Sequence, residues 1–408
     1  MIKQQQQNKG AITAILFSLF VIMAGYGVLL PVLPFFVERL ALNPGIDQET
    51  INFHIGALTA VYPFFQLIFA VIWGKLSDRV GRRSFIVMGL LGFILMQALI
   101  GLSTSLTMFY VARILGGIFT AALIPVSNAY LSDITSKENR SKIMAWSGTA
   151  LSTGIILGPV VGGFLSKADF HINFRSGIFH LDKFSVPFFA LILPGIVALY
   201  LVLKTLKSKT TVNDIALTKT PNNSKQSAGF SLMILLFLSF IYQFNLSSFE
   251  TVFSIYAKND LLFNPYQIGI GFMFCGLFMA IFQPVFTSVK TKIISEKGKL
   301  FGGFIIASIA LLIFPFSKEY IFVYTIIILF ALGGAMIAPQ LTAMVSLQDD
   351  NNIAKNLSYL TSINSVGLML GPLIGVWSIG IHVFAPFILN GGLLLIPVLV
   401  IMRNKWRK

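Results

Sequence analysis

Long apolar runs alternate with short polar or charged segments along the whole chain. Residues 55–73 are apolar apart from Thr59 and Gln66, and residues 84–102 are interrupted by Gln97. At about 1.5 Å of helix rise per residue, each run can cross a hydrocarbon core of roughly 30 Å. The pattern predicts an all-α polytopic membrane protein with twelve spans. We place them at 11–37, 52–74, 84–103, 106–132, 141–166, 186–204, 229–257, 266–289, 299–317, 319–346, 355–380 and 383–402.

The segment 74–83, GKLSDRVGRR, predicts a tight turn between the second and third spans. Its four bases would be costly to move across a bilayer, which favours a cytoplasmic position. With the turn placed inside, 23 of the 30 Lys and Arg residues lie on the cytoplasmic side, six lie outside, and Arg113 lies within a span. We therefore expect both chain termini in the cytoplasm.

The chain predicts two related six-helix halves. The segment Ser152–Gly162 returns as Ser365–Gly375 with six of eleven positions identical, which indicates an internal repeat. A polar stretch at the midpoint indicates a linker. The loop 167–185 carries no recognisable motif and predicts a solvated hairpin, with a binding element as the alternative. The expected organisation is a disordered tail at 1–10, a bundle at 11–204, a linker at 205–228, a second bundle at 229–402 and a basic tail at 403–408.

Composition excludes several function classes. The chain is 56% hydrophobic and 11% charged, and its net charge of +15 lies in short loops rather than on a basic face with stacking aromatics, so we expect no nucleic-acid partner. A single cysteine, Cys275, excludes disulfides and cysteine-based metal sites within the chain. The four histidines are scattered, which predicts no metal site. No phosphate-binding G-x-x-x-x-G-K-[ST] segment is present, so the proton gradient is the expected energy source, with no cofactor.

Three motifs resemble those of the major facilitator superfamily. The pattern G-x-x-x-D-R-x-G-R-R at 74–83 resembles that superfamily's signature between helices two and three. The segment 154–163 resembles its helix-five antiporter motif, and Arg113 followed by Gly117 resembles its helix-four motif. The resemblance implies two pseudo-symmetric six-helix bundles around a central cavity that opens alternately to each side of the membrane.

Two further segments, 246–256 and 28–34, resemble the twelve-span drug:proton antiporters, the group of the NorA-type quinolone exporters. The chain departs from that group at Gly116, where the helix-four motif often has Gln. It also departs at 333–336, where such exporters can carry a second acid. This resemblance implies outward transport of lipophilic drugs driven by proton entry.

Glu250 is the candidate proton carrier, because the other acids all lie in loops or at span ends. An ionised carboxylate inside a membrane is costly, so burial favours the neutral form and makes proton uptake accessible. A cationic drug would compete with the proton for this side chain, which would couple their opposite movements. The alternative is a wet, structural Glu250 at the outer mouth of its span. The resemblance implies that Arg113 acts in proton transfer or holds the cavity's hydrogen bonds; a structural pairing is the alternative.

Aromatic and amide side chains within the spans are the candidate cavity lining. Aromatic walls around one acid suit lipophilic cations, through stacking and cation–π contact. Hydrogen bonding and packing between helices are the alternative roles. The predicted lining residues are Tyr26, Gln66, Asn128, Asn245, Phe249, Phe253 and Gln340.

Two predicted moving parts follow from the motifs. In the superfamily the loop acid pairs with bases across the halves, so we expect a cytoplasmic gate in which Arg140 is a partner of Asp78; bases that only set topology are the alternative. The predicted gate residues are Gly74, Asp78, Arg79, Gly81, Arg82, Arg83 and Arg140. The glycines of the antiporter motif predict a tight, bendable joint facing the other half, although packing alone would select the same spacing. The motif residues are Gly154, Gly158, Pro159, Gly162 and Gly163.

The sequence thus predicts a proton-coupled multidrug exporter in the plasma membrane of a bacterium. Its expected partners are lipophilic drugs, protons and membrane lipid, and it is expected to be a monomer without enzymatic activity. One alternative is a transporter of a defined metabolite such as a sugar. A receptor or sensor is disfavoured by the repeat, and an enzyme by the lack of a Ser/His/Asp or metal constellation.

Overall fold

The structure is a computed structural model that describes residues 2–41, 46–167, 174–176, 179–206, 230–287, 295–348 and 353–403. Most of the described residues are α-helical. The helices are α1 (Ile2–Leu40), α2 (Gln48–Val80), α3 (Arg82–Gly101), α4 (Leu106–Thr120), α5 (Leu123–Ile134), α6 (Lys137–Leu165), α7 (Val186–Thr205), α8 (Leu232–Asn259), α9 (Pro265–Thr287), α10 (Glu296–Ile313), α11 (Tyr320–Ser346), α12 (Ile353–Ile381) and α13 (Ala385–Arg403).

Twelve described segments are long and apolar enough to cross a membrane, with α4 and α5 together forming the fourth. This confirms the predicted fold class and the number of spans. Two short strands, β1 (Phe174–Ser176) and β2 (Phe179–Leu181), pair antiparallel in the loop where the sequence predicts a hairpin. Beyond β2, the Asp182 carboxylate forms an ion pair with Arg39 of α1 at 2.5 Å. It also accepts a hydrogen bond from the Ser185 N–H at 3.1 Å. These contacts fix the end of the loop to the bundle.

The turn between the second and third spans is much shorter than the sequence predicts. Helix α2 continues to Val80 and α3 begins at Arg82, so the predicted turn over 74–83 is wrong in extent. The reversal is confined to Gly81, which has φ 113° and donates its N–H to the Ser77 carbonyl at 3.0 Å. A residue without Cβ adopts this φ at little cost, whereas its neighbours are compatible with helix.

The fourth span is interrupted, whereas the sequence predicts one continuous helix. The interruption falls at Ala121 and Ala122, before Pro125. Because proline lacks an N–H and its ring clashes with the carbonyl four residues earlier, Pro125 disfavours helix at Ala121. The indole of Trp73 donates to the Ile118 carbonyl at 2.7 Å and so ties α2 to this region.

The first helix begins at Ile2, whereas the sequence predicts a disordered tail before residue 11. The Gln and Lys residues there are good helix formers, so they extend the helix beyond the apolar span.

The chain groups into two units that differ slightly from a division at the midpoint. The segment that crosses over contains the end of α8, the following loop and the start of α9. The N-terminal unit comprises Met1–Ile215 and Ala257–Phe272, and the C-terminal unit comprises Ala216–Tyr256 and Met273–Lys408. The domain boundaries predicted above stay a prediction, and most of the linker lies outside the described residues.

Phenylalanine clusters fill the interior of each unit. In the N-terminal unit Phe36 packs against Phe109 and Phe188, with ring centroids 5.2 and 5.6 Å apart. In the C-terminal unit Phe314 stacks on Phe387 at 4.8 Å. These clusters fix the helices that carry the candidate site residues.

Candidate transport site

Glu250 lies in the middle part of α8 and is half-buried. The Tyr242 hydroxyl and the Cys275 thiol lie close enough for its charge to act on both. Across from Tyr242, a Cβ atom at Gly334 of α11 would lie 2.7 Å from the hydroxyl oxygen. Among the described carboxylates, Glu250 alone is distant from a helix end. This placement allows a carboxyl group to take up and release a proton within the membrane.

The aromatic residues beside Glu250 face the interior of the C-terminal unit. Phe249 and Phe253 are 2% and 0% exposed and stack with centroids 5.6 Å apart. Phe249 also contacts Phe330 at 4.8 Å and Phe314 at 5.6 Å. Both rings are thus packed inside the C-terminal unit, and their role as cavity walls stays a prediction. Neighbours on a helix point about 100° apart, so proximity in sequence to Glu250 does not place a ring on the same face.

The predicted amide residues of the C-terminal unit are buried as well. Asn245 has no exposed surface, and its Nδ2 donates to the Ile241 carbonyl at 2.7 Å. Gln340 is 6% exposed. The role of these two side chains in a substrate cavity stays a prediction. In the N-terminal unit the half-buried Asn128 accepts a hydrogen bond from Ser147 at 2.6 Å, which joins α5 to α6.

Arg113 is buried between α4 and α2. Its Nε donates to the Leu58 carbonyl at 3.0 Å, and its Nη2 lies 3.5 Å from the Thr59 carbonyl. The guanidinium carbon lies 4.5 Å from the centre of the Tyr62 ring. No ion pair joins Arg113 to a carboxylate within the described residues. Carbonyl dipoles and an aromatic face therefore compensate its charge.

Tyr62 links Arg113 to two other polar side chains. Its hydroxyl lies 2.7 Å from the Thr120 Oγ1, and Gln66 Nε2 donates to it at 3.4 Å. Tyr26 of α1 is half-buried and near enough to act electrostatically on Arg113. The structure thus places Tyr26, Gln66 and Arg113 in one region of the N-terminal unit, and their predicted roles in a cavity and in proton coupling stay predictions. Sequence reasoning missed Tyr62, although its spacing of four residues from Gln66 places both on one helix face.

The residues of the predicted gate form a network within the N-terminal unit. Arg82 Nε contacts Asp133 Oδ2 at 2.9 Å, and Arg82 Nη2 lies 3.5 Å from Asp78 Oδ1. Arg140 donates to the Ser132 carbonyl at 3.1 Å. The predicted pairing of Asp78 with Arg140 is therefore not formed. Because α2 stays helical through Asp78 and the chain reverses at the single residue Gly81, Arg82 lies closer to Asp78 than Arg140 does.

The remaining gate residues have separate environments. Arg83 donates to the Leu203 carbonyl at 2.9 Å and so ties α3 to α7. Arg79 is exposed, and a Cβ atom at Gly74 would meet no atom within 4 Å. Gly81 alone among the predicted gate glycines has a backbone conformation that requires glycine.

Three glycines of the antiporter motif lie directly against the backbone of α1. A Cβ atom at each would approach an α1 carbonyl closer than 3.0 Å. The pairs are Gly154 with Phe20, Gly158 with Ala24, and Gly162 with Val28. The prediction that these glycines face the other half is wrong. They recur every four residues, and the α1 carbonyls that they contact in their own bundle recur at the same interval.

Gly163 and Pro159 of the motif contact α9 instead. A Cβ atom at Gly163 would lie 2.6 Å from the Pro265 carbonyl oxygen, and one at Gly269 would lie 2.5 Å from the Pro159 carbonyl oxygen. This part of α9 belongs to Ala257–Phe272, the segment grouped with the N-terminal unit. The motif thus joins α6 to two helices on different faces.

The same segment is held by charged contacts that sequence reasoning missed. Lys258 Nζ lies 2.6 Å from Glu38 Oε2 and 5.4 Å from the Phe35 ring centre. Lys167 lies 4.2 Å from the centre of the Tyr266 ring. These contacts and the close approach of α6 and α9 fix the segment to α1 and α6.

A family model described as Major Facilitator Superfamily matches residues 15–348 and 235–407. The chain belongs to the major facilitator superfamily. Within this superfamily it is 27% identical to Multidrug resistance protein 2 of Bacillus subtilis, covering 100% of this chain and 98% of the relative. It is 31% identical to Tetracycline resistance protein, class B, of Escherichia coli, with 86% and 84% covered. It is 24% identical to Quinolone resistance protein NorA of Staphylococcus aureus, with 95% of each covered.

Solved structures of transporters share the fold of this major facilitator protein. A bacterial homologue of the human lysosomal transporter Spinster, inward-facing and unoccupied, matches with TM-score 0.75 and 14% identity, covering 98% of this chain and 95% of that one. A D-xylose-proton symporter matches with TM-score 0.75 and 16% identity, covering 97% and 99%. Twelve spans and bacterial relatives of this superfamily identify a multi-pass plasma membrane protein.

The geometry adds residues to those that the superfamily motifs predict. Asp133 pairs with the motif base Arg82, and Lys258 pairs with Glu38. The sequence shows Asp133 as an acid at a span end. Its partner could not be predicted, because the position of Arg82 depends on the chain reversal at Gly81. Lys258 and Glu38 lie far apart in sequence, so no local pattern could join them.

Proposed function

We propose that this major facilitator protein exports lipophilic, often cationic drugs by alternating access, driven by proton entry. The observation that carries the proposal is Glu250, a half-buried carboxylate in the middle part of α8. Protons and cationic drugs are the ligands such a group attracts. The names of the relatives support drug substrates, since they specify multidrug, tetracycline and quinolone resistance.

Coupling follows from the two states of the Glu250 carboxyl group. The ionised form attracts a cationic drug, whereas the protonated form does not. Drug and proton therefore exclude one another, and a cycle that exchanges them moves the two ligands in opposite directions. Arg113 is proposed to support this cycle from the N-terminal unit. The protein is proposed to act as a monomer surrounded by lipid.

The test is ethidium transport by the purified protein in proteoliposomes with an imposed pH gradient. Wild type is expected to exchange ethidium for protons, and a protonophore is expected to abolish the exchange. Glu250→Gln removes the ionisable group and is expected to reduce exchange at least 10-fold, whereas Glu250→Asp keeps a carboxylate and should retain part of it. Glu319→Gln, at the exposed start of α11, is the matched control and should transport like wild type.

If Glu250→Gln exchanges ethidium for protons as fast as wild type, the proposed role of Glu250 as the proton carrier is wrong. Absence of transport of ethidium, tetracycline and a quinolone by wild type would contradict drug export and favour a transporter of a defined metabolite. Saturable uptake of one sugar under the same gradient would then identify that alternative.

A further inference from the structure

Helix α2 contains a proline in the middle of a membrane span. Pro63 has no N–H, so the Thr59 carbonyl cannot receive the hydrogen bond that a helix normally supplies from four residues later. In a lipid environment water is not available to replace the missing donor. Thr59 is 5% exposed, so its carbonyl needs a donor from the protein.

Arg113 brings donors to this position. Its Nη2 lies 3.5 Å from the Thr59 carbonyl oxygen, and its Nε donates to the preceding carbonyl, of Leu58, at 3.0 Å. One guanidinium therefore spans two successive carbonyls beside Pro63. The guanidinium carbon also lies 4.5 Å from the centre of the Tyr62 ring, so this ring is a third contact of the guanidinium.

We propose that Arg113 is a positioning residue that supplies the donor Pro63 lacks and thereby holds Tyr62 and Gln66 in place. Tyr62 directly precedes Pro63, and its hydroxyl contacts Thr120 at 2.7 Å. Gln66 donates to that hydroxyl at 3.4 Å and is half-buried. A change in the α2 backbone at Pro63 would therefore displace both side chains.

The arrangement requires arginine rather than any cation. A guanidinium has a planar fork of donors that can contact two carbonyls and lie flat on a ring, whereas a lysine ammonium is a point charge on a flexible stem. Arg113→Lys should therefore keep the charge but lose most of the positioning. An effect based on charge alone would be retained in that variant.

A double-mutant cycle between Arg113 and Pro63 tests the proposal. In Pro63→Ala the new N–H can donate to the Thr59 carbonyl, which makes the arginine dispensable. Arg113→Gln alone is expected to lower the thermal midpoint in detergent and to raise the KM for ethidium about 10-fold. Adding Pro63→Ala to Arg113→Gln is expected to restore more than half of both losses. The pH dependence of transport should be the same in all four proteins.

The matched control is Pro194→Ala, which removes a proline inside α7. Combined with Arg113→Gln it should restore neither the thermal midpoint nor the KM. Restoration by Pro194→Ala would show that any straightened helix compensates, which would overturn the proposal. Lack of restoration by Pro63→Ala, or a shifted pH profile in Arg113→Gln, would also overturn it and favour a role in proton transfer.

The transport readout rests on the proposed function, but the thermal midpoint does not. Failure of wild type to transport any drug would reject drug export while the melting cycle still decides the role of Arg113. Conversely, absence of coupling between Arg113 and Pro63 would leave the Glu250 experiments unaffected.

Discussion

The two copies of the internal repeat differ in what their last glycine contacts on the partner helix. In the N-terminal unit the repeat glycines of α6 lie on backbone carbonyls of α1; Gly162, for example, lies against Val28. In the C-terminal unit Gly371 of α12 likewise lies against a backbone carbonyl, that of Phe244 of α8. Gly375, the equivalent of Gly162, instead lies against the Ser248 hydroxyl and the Val252 side chain of α8. The repeat preserves the spacing of the small residues, but at its last glycine it does not preserve the atoms that the glycine contacts.

This difference teaches that a glycine pattern alone does not define how rigid a helix pair is. A backbone carbonyl in a helix cannot move without the helix, whereas a serine hydroxyl can rotate about one bond. The α8–α12 contact is also hydrogen-bonded, since Ser247 donates to the Gly367 carbonyl at 3.0 Å. Asn390 of α13 donates to Ser248 at 2.8 Å and so holds this hydroxyl from a third helix. We therefore expect Gly162 of α6 to tolerate substitution less well than Gly375 of α12.

The largest expected effect is that of Gly162→Ala. The new methyl group would lie 2.5 Å from the Val28 carbonyl oxygen and 3.0 Å from the Val28 Cα, so α1 and α6 must separate. Overpacking of this kind costs up to about 3 kcal/mol, or roughly 6–12 °C in thermal midpoint. The measurement is thermal unfolding in detergent. A midpoint within about 2 °C of wild type would contradict a backbone-limited contact.

Gly163→Val is expected to have the next largest effect. Valine is the residue that α12 carries at the equivalent position, 376. The side chain would collide with Pro265 and Tyr266 of α9. We expect the segment Ala257–Phe272 to detach from α6 while the unit stays folded. The measurement is cross-linking by a short bismaleimide between cysteines placed at 38 and 258 in a Cys275→Ser background. With Gly163→Val, the cross-linking yield should fall about fivefold relative to the same background with Gly163. The reciprocal Val376→Gly in the same background should leave the cross-linking yield unchanged. Equal yields for the background protein, Gly163→Val and Val376→Gly would refute the expected detachment.

Gly375→Ala is the direct counterpart of Gly162→Ala and should cost less. Its methyl group would meet the Ser248 hydroxyl and the Val252 Cγ2, both of which can shift by rotation. We expect a loss of about 1 kcal/mol, or roughly 2–4 °C in thermal midpoint. If this variant melts as low as Gly162→Ala, the distinction between the two contacts does not hold.

The smallest expected effect is the coupling between Gly375→Ala and Ser248→Ala. Removing the hydroxyl opens space for the new methyl group, but it leaves the Asn390 Nδ2 without its 2.8 Å partner. The double variant should therefore be more stable than the sum of the single losses by about 0.5–1 kcal/mol. Thermal unfolding of all four proteins measures this; strict additivity would mean that the hydroxyl does not limit the contact.

The number and approximate bounds of the spans could be predicted from the sequence because apolar length alone sets them. The glycine spacing of the repeat was also visible. Its partner helices were not, because the same spacing fits any helix with a matching face. The orientation of Phe249 and Phe253 was missed for a similar reason, since the abundance of phenylalanine hides which rings form the core.

Long-range polar contacts were the other part that the sequence could not supply. Asp78 and Arg140 were paired by analogy with the superfamily, whereas the reversal at Gly81 brings Arg82 to both Asp78 and Asp133. Arg113 was singled out as a charge inside a span. Its contacts with α2 depend on the helix–helix register, which only the three-dimensional structure gives.

The contact of α1 with α6 has a consequence for how the chain is made. The carbonyls of Phe20, Ala24 and Val28 face glycines that are synthesised roughly 130 residues later. At about 5–20 residues per second, the ribosome needs on the order of 7–26 s to deliver them. During this interval the carbonyl-lined face of the first helix has no native partner from its own chain. Insertion machinery or lipid must cover that face until α6 arrives, so the nascent protein is open to misassembly during this interval.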